Sequence, residues 1–493
     1  MYLLGYDIGS SSIKVSIVDA DTRSAIGVCS YPKKEMGMVS HQAGWAEQHP
    51  EEWWKHACDA TKELLSSTKV DPAKIRSIGI SYQMHGLVCV DKDQKVIRPS
   101  IIWCDSRSVD IGNAAFDDLG HDFCYDHYLN SPGNFTASKL AWVKNNEPEK
   151  FAQIDKVMLP GDFIAMKMTG EICSTISGMS EGIFWDFKNK SIAKDLLANY
   201  GIEEYLMPVL KDTFSDQGKL NAAGAAALNL VEGIPVSYRA GDQPNNALSL
   251  GVFEPGDVAG TGGTSGVIYA VTDKLIADHQ NSVNSFAHVN YTADAQRVGV
   301  LLCINGAGSM YAWMRNNIAS SDIAYELMEK EASMIPIGSD GLSVLPFGNG
   351  AERMFQNKNI GAQFCNLQLN RHSKAHMYRA TLEGIAFAFV YGIEGMNEMG
   401  IDTSNLKVGN DNLFRSDIFS QTIANITQAP IRIIETTGAT GAALGSGYGI
   451  GYYAELKDAF QGLKVEKTIS PEKENQAHID AYNIWKLSLN NFL

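Results

Sequence analysis

One pattern constrains this chain more than any other: it twice sets a turn of small residues between two short strands. Residues 2–8 read as an apolar strand and 13–19, Ile-Lys-Val-Ser-Ile-Val-Asp, alternate as a second, with Gly9-Ser10-Ser11-Ser12 between them. Far downstream, Val258-Ala259 runs into Gly260-Thr261-Gly262-Gly263-Thr264-Ser265-Gly266, and 267–271 follows as another strand. Two such hairpins predict two structurally related domains. Small side chains also let backbone N–H groups approach an anion closely, so both turns are candidate phosphate cradles.

The segments between them predict an α/β protein. Pro50-Glu51-Glu52 opens a helix over 50–66, with Pro and acids where a helix N-terminus favours them. Strands are predicted over 75–81, 87–90 and 96–102, the last two flanking the polar turn Asp91-Lys92-Asp93-Gln94. A strand over 236–239 leads into Ala240-Gly241-Asp242-Gln243-Pro244, with a helix from Asn245 to Gly251. The second half predicts a helix over 373–395, a strand over 406–408, an amphipathic helix over 415–427 and a strand over 431–434. Residues 438–451 are rich in Gly and Ala, which lets a helix lie close to a sheet or a nucleotide. We expect one domain over 1–240 and another over 241–493.

Charge narrows the partners. Lys plus Arg number 41 against 56 Asp plus Glu, a net charge of −15, which disfavours nucleic acid and anionic membranes. The most apolar stretch, near 385–390, is too short to span a bilayer, and Asp7 interrupts the only apolar run at the N-terminus. Eight scattered cysteines without Cys-x-x-Cys suit reduced thiols in a cytoplasm. The expectation is a large cytoplasmic enzyme.

Familiar phosphate motifs fail on inspection. Gly218-Lys219 is followed by Leu220, not the Ser or Thr of a P-loop, and the dinucleotide register from Gly260 ends on Ser265. Two acids stand near the hairpins instead: Asp7 at the end of the first strand and Asp242 in its Gly-Asp-Gln turn. A carboxylate before a phosphate loop can hold Mg²⁺, and one facing an alcohol can accept its proton during phosphoryl transfer.

Taken together, these residues resemble the FGGY carbohydrate kinases of the sugar kinase–actin superfamily, over nearly the whole chain. Tyr6-Asp7-Ile8-Gly9-Ser10-Ser11-Ser12-Ile13-Lys14 resembles the first phosphate element, Ala240-Gly241-Asp242 the catalytic-base turn, and Gly263-Thr264-Ser265-Gly266 the second phosphate element. Lys139-Leu140-Ala141-Trp142 and Arg379-Ala380-Thr381-Leu382-Glu383-Gly384 fall in family signatures. Gln83-Met84-His85-Gly86, Trp103-Cys104-Asp105-Ser106-Arg107 and Gly44-Trp45-Ala46-Glu47-Gln48 are similar to the xylulose kinase branch.

The resemblance implies two ribonuclease-H-like domains around a cleft, and transfer of phosphate from ATP to the 5-hydroxyl of D-xylulose. It implies Asp242 as general base and Asp7 as its catalytic partner, both near Mg²⁺. Met84, His85, Trp103 and Asp105 would meet the sugar. Ser10, Ser11, Ser12, Lys14, Gly263, Thr264, Ser265, Gly308, Gly409, Asn410 and Asn412 would meet the nucleotide. Outside any role in the site, Arg107 reads as a surface ion pair worth ~0–1 kcal/mol. The partners are then D-xylulose and ATP, without nucleic acid or membrane, and a homodimer is left open. Kinases of ribulose, fuculose or glycerol, and a non-catalytic sugar or nucleotide sensor, are the alternatives.

Several positions depart from the family pattern. Gly409-Asn410-Asp411-Asn412 replaces a run of glycines, Cys104 an Asn, and Cys365 a Gly, while Gln243-Pro244 follows Asp242 where Asn is usual. Gly350-Ala351-Glu352-Arg353 is one residue longer than the usual Gly-Glu-Arg.

Overall fold

The computed structural model describes residues 1–410 and 413–493 in full, with Asn412 as backbone; Asp411 and the Asn412 side chain lie outside the described residues. The expected nucleotide contact at Asn412 therefore falls outside them.

The first hairpin forms where it was read. Strands β1 (Tyr2–Ile8) and β2 (Ile13–Asp19) pair antiparallel, with Asp7 opposite Lys14 and Ile8 opposite Ile13. Strand β3 (Ala25–Tyr31) pairs outside β2. Helix α1 (Pro50–Thr68) buries Trp53, Ala57, Ala60 and Leu64, a helical stripe laid on this sheet. Strand β4 (Ile75–Tyr82) runs parallel to β1 on its other side. A long insertion then carries α2 (Thr136–Asn146) and α3 (Ile176–Glu181) before β5 (Val236–Gly241) joins parallel to β4. The order is β5-β4-β1-β2-β3.

The chain repeats that design. Helix α4 (Asp242–Ser249) leads to the antiparallel hairpin β6 (Asp257–Gly262) and β7 (Gly266–Thr272). Strands β8 (Asn284–Ala287) and β9 (Val298–Ile304) extend it, followed by α5 (Ala307–Met314) and α6 (Lys374–Glu398). Then come β10 (Asn405–Gly409), α7 (Asp417–Thr427), β11 (Ile431–Ile434), α8 (Gly438–Gly449) and β12 (Val465–Ile469). The order is β8-β9-β7-β6-β10-β11-β12. Without the two edge strands, β9-β7-β6-β10-β11 reproduces β3-β2-β1-β4-β5 in order and in parallel or antiparallel sense. The two units are structurally related, as the paired hairpins predicted, and ribonuclease-H-like, as the resemblance implied.

Helix α8 ties the units together. It returns from the second sheet to lie on the first, so close that a Cβ on Gly5 or on Gly79 would stand 1.9 Å from the Ala439 or Ala442 carbonyl oxygen. Glycine is required there. Gly441 of α8 also abuts Ser249 of α4, so these two helices meet between the sheets.

Two local readings change. The helix after β5 starts at Asp242 rather than Asn245, because an acid suits the first turn and Pro244 needs no N–H partner there. Residues 96–102 give only the short strand Ser100–Ile101, paired with Glu47–Gln48, and two isolated bridges, Val96 to Val90 and Ile101 to Leu87. Pro99 lacks the donor a longer ladder needs. All eight cysteines are free, and among the described residues no helix is long and apolar enough to cross a membrane.

Candidate active site

The two acids converge at the strand ends of the first sheet. Asp7 ends β1, and its Oδ1 accepts a hydrogen bond from the Ser81 hydroxyl at 3.1 Å. Asp242 is the first residue of α4, immediately after β5. Burial, and then the neighbouring charge of Asp7, push its carboxyl up to about 7. The N-terminus of α8 closes the other side: a Cβ on Gly438 would stand 3.1 Å from Asp7 Oδ2 and 3.0 Å from Asn246 Oδ1. The Asn245 amide fixes this approach by donating to the Gly438 carbonyl at 2.9 Å. Two neighbouring carboxylates fit a hard cation such as Mg²⁺, which usually takes one or two from protein and the rest from phosphates and water.

Met84 and His85 follow β4, and His85 is held from three sides. Its backbone is left-handed, with φ 60°. The buried Lys139 ammonium donates to its carbonyl at 2.8 Å and to the Ile102 carbonyl at 3.0 Å. Burial pushes Lys139 down to about 8. The ring sits against Phe135 at 4.9 Å and against Phe286, on β8 of the second sheet, at 5.4 Å. His85 Nδ1 lies 2.9 Å from the Glu181 carbonyl, which can only accept. The proton is therefore assigned to Nδ1, leaving Nε2 an acceptor. Burial drives the imidazole pKa down to about 3, so it is neutral.

The 103–107 segment divides into an exposed face and a buried one. Trp103 is 51% exposed, and its indole N–H reaches Ser10 Oγ at 3.3 Å. Asp105, expected to meet the sugar, is instead fully buried; it accepts from the Ala46 N–H, the Arg107 N–H and the Arg107 guanidinium. Its carboxylate oxygens are thus engaged by protein groups in this structure. The surface reading of Arg107 is corrected as well. Its side chain is 1% exposed, pairs with Glu47 and Asp105 at 2.7 Å each, and stacks over Trp45 at 3.8 Å.

Each hairpin is braced by its own unit. In the first, the Gly9 N–H donates to the Ser12 carbonyl at 3.1 Å, the Gln48 amide to the Ser10 carbonyl at 2.6 Å, and the Met36 N–H to the Ser11 carbonyl at 2.8 Å. The Ser11 side chain is exposed, as is Lys14. In the second, the Gly308 and Ser309 N–H groups donate to the Gly263 and Thr264 carbonyls at 3.1 and 2.9 Å. A Cβ on Gly308 would come within 2.1 Å of the Gly263 oxygen, so Gly308 serves as a brace for the hairpin. Thr264 is exposed, and Gly263 and Ser265 are half-buried. Gly409 ends β10 and Asn410 follows it; the Asn410 N–H donates to the Ile434 carbonyl at 3.1 Å and its amide is engaged by Glu466.

One acid was missed from the sequence. Glu181 is 1% exposed, neither carboxyl oxygen has a hydrogen-bond partner, and Oε2 would lie 2.6 Å from a Cβ on Gly241, next to Asp242. Burial and the Asp242 charge raise its pKa well above the ordinary range. A lone acid in the small-residue run Ser177-Gly178-Met179-Ser180 was the available signal.

Known proteins can now be set beside this geometry. The model for the N-terminal domain of the FGGY family of carbohydrate kinases matches residues 2–249, and that for the C-terminal domain matches 258–449. The chain belongs to the FGGY family of carbohydrate kinases. Among the curated relatives of this FGGY kinase is the xylulose kinase of Bacillus subtilis strain 168, 28% identical over 495 residues, covering 98% of this chain and 96% of the relative. The xylulose kinase of Escherichia coli K12 is 28% identical over 446 residues, covering 90% and 88%. A solved Brucella ovis xylulose kinase is 27% identical, with TM-score 0.89, and covers 100% of this chain and 99% of its own. A Plasmodium falciparum glycerol kinase with ADP, at 17% identity and TM-score 0.88, covers 100% and 98% and shares the fold. The FGGY kinase is thus an enzyme that phosphorylates a sugar.

Proposed function

We propose that this FGGY kinase transfers the γ-phosphoryl group of ATP to the 5-hydroxyl of D-xylulose, with Asp242 as general base. The observation that carries the reading is the placement of Asp242: half-buried, held near neutrality beside Asp7, at strand ends shared with Met84 and His85. A base with a pKa near the working pH is suited to accept a hydroxyl proton. The xylulose kinase relatives support the choice of sugar.

In this reading the 1–240 unit holds the sugar and the 241–493 unit most of the nucleotide. His85 Nε2 accepts from a sugar hydroxyl, its tautomer set by Glu181 and its backbone by Lys139. Met84 and the exposed Trp103 face give the sugar's carbon side an apolar wall. Asp105 keeps that wall in place through Arg107. Ser10–Ser12 and Lys14 meet the phosphates from one side, Gly263–Ser265 from the other, with Gly409 and Asn410 nearer the nucleoside. Asp7 and Asp242 would hold Mg²⁺, whose chemistry is to neutralise charge on the phosphates. Asp242 takes the hydroxyl proton as the oxygen attacks, and closure of the two units keeps water from competing.

A coupled ADP assay over D-xylulose, D-ribulose, L-fuculose and glycerol tests the substrate. The expected result is the highest kcat/KM for D-xylulose. A preference for another sugar overturns the substrate, and ADP release indifferent to sugar overturns the transfer reaction.

A further inference from the structure

A cation outside the machinery above faces the same space. Arg353 follows Glu352 in the extended Gly350-Ala351-Glu352-Arg353 segment of the second unit. Its guanidinium carbon lies 5.9 Å from the centre of the Phe135 ring, the ring that packs on His85. The positive charge also reaches His85 itself and, on the phosphate side, Cys303. Neighbouring Glu352 holds the Asn305 and Gly306 N–H groups directly after β9, whose last residue, Ile304, pairs with Gly266 at the end of the second hairpin. Arg353 therefore lies between the sugar residues and the second hairpin.

No partner neutralises it. Among the described residues no carboxylate is within ion-pair distance of Arg353, and its Nη1 is sealed from solvent with no acceptor. The adjacent Glu352 and Asp278, the acid whose charge acts on Arg353, are both committed to backbone amides. Glu352 accepts from the Asn305 and Gly306 N–H groups at 3.0 and 3.2 Å. Asp278 accepts from the N–H groups of Gln280, Ser282 and Val283. Burying a guanidinium without a counter-charge is costly, and here burial already lowers its pKa. A fixed, unneutralised arginine is complementary to an anion that arrives with the reaction, and its planar fork suits phosphoryl oxygens.

We propose that Arg353 is a catalytic residue that binds the phosphoryl group in transit between ATP and the sugar and retains the phosphate of the product. The proposal rests on the kinase reading above. In the step, a bond forms between the sugar hydroxyl oxygen and the γ-phosphorus. The bond from that phosphorus to the β,γ-bridging oxygen breaks, ADP leaves with its electron pair, and the hydroxyl proton goes to Asp242. Arg353 makes and breaks no covalent bond; its hydrogen bonds and charge stabilise the phosphoryl oxygens.

The test compares Arg353→Gln and Arg353→Lys with wild type, on whichever sugar the wild type phosphorylates. Steady-state kinetics are paired with calorimetric affinities for D-xylulose and D-xylulose 5-phosphate. Arg353→Gln should lower kcat by about 100-fold with both KM values within about threefold, and Arg353→Lys should recover part of the loss. Affinity for the sugar phosphate should fall at least about tenfold while affinity for the free sugar holds, which also reports an intact fold. A kcat within about threefold of wild type, or equal losses for sugar and sugar phosphate, overturns the proposal. Absence of wild-type turnover on any sugar refutes the parent reading alone, because the sugar-to-sugar-phosphate affinity ratio is still measured.

Discussion

The two repeats share a strand order but carry opposite chemistry at equivalent places. Asp7, near the end of β1, corresponds in the hairpin to Thr261, near the end of β6. After the fifth strand, the first repeat starts its helix with Asp242 and the second with Gly438. At these places one repeat thus supplies two carboxylates and the other a hydroxyl and a glycine. The glycine matters to Asp7, because a Cβ there would stand 3.1 Å from the Asp7 Oδ2. In the proposed reading, this divides a duplicated scaffold between a base and metal side and a phosphate-donor side, with the two helices meeting where the reaction needs both.

The sharpest way to break this comparison is at its acid pole. Asp242→Asn should lower kcat by about 10²- to 10⁴-fold while ATP affinity stays within about twofold, read by rapid quench and by ATP titration. Asp7→Asn should cost about 100-fold in kcat and raise the Mg²⁺ concentration needed for half-maximal rate. A pH profile sharpens the coupling between the two. In the proposed role Asp242 works as the carboxylate, and burial plus the Asp7 charge raise its pKa to about 7. In wild type, kcat/KM for the sugar should therefore fall about tenfold per unit as pH drops below about 7, and Asp7→Asn should move that break to lower pH.

Smaller effects probe the supports. His85→Ala should raise the sugar KM about tenfold and leave the ATP KM within about twofold; equal changes would indicate a general packing defect. Gly438→Ala brings a methyl within 3.1 Å of Asp7 Oδ2, and should lower kcat about threefold to tenfold without changing the sugar KM. If it leaves kcat unaltered, the tight fit between the repeats is irrelevant to turnover.

Much of this was legible in the sequence, for a physical reason. Small-residue turns between alternating strands are local signals, so both hairpins, Asp7 and Asp242 stood out, and Gly and Ala over 438–451 announced the close approach of α8. What was not legible depends on distant partners. Arg107 is buried because Glu47, Asp105, Trp45 and Trp142 converge on it from separate segments. Asp105 is buried by the same convergence. The tautomer of His85 hangs on the Glu181 carbonyl, and the exposure of Arg353's charge on two acids engaged elsewhere. None of these leaves a periodic trace along the chain.

The most direct measurement is a crystal structure with D-xylulose and a non-hydrolysable ATP analogue bound together. The account predicts the 5-hydroxyl within hydrogen-bond reach of an Asp242 carboxylate oxygen, on the line to the γ-phosphorus, with His85 Nε2 on another hydroxyl. A sugar whose reacting hydroxyl faces a different base, with Asp242 bonded only to protein groups, would contradict it.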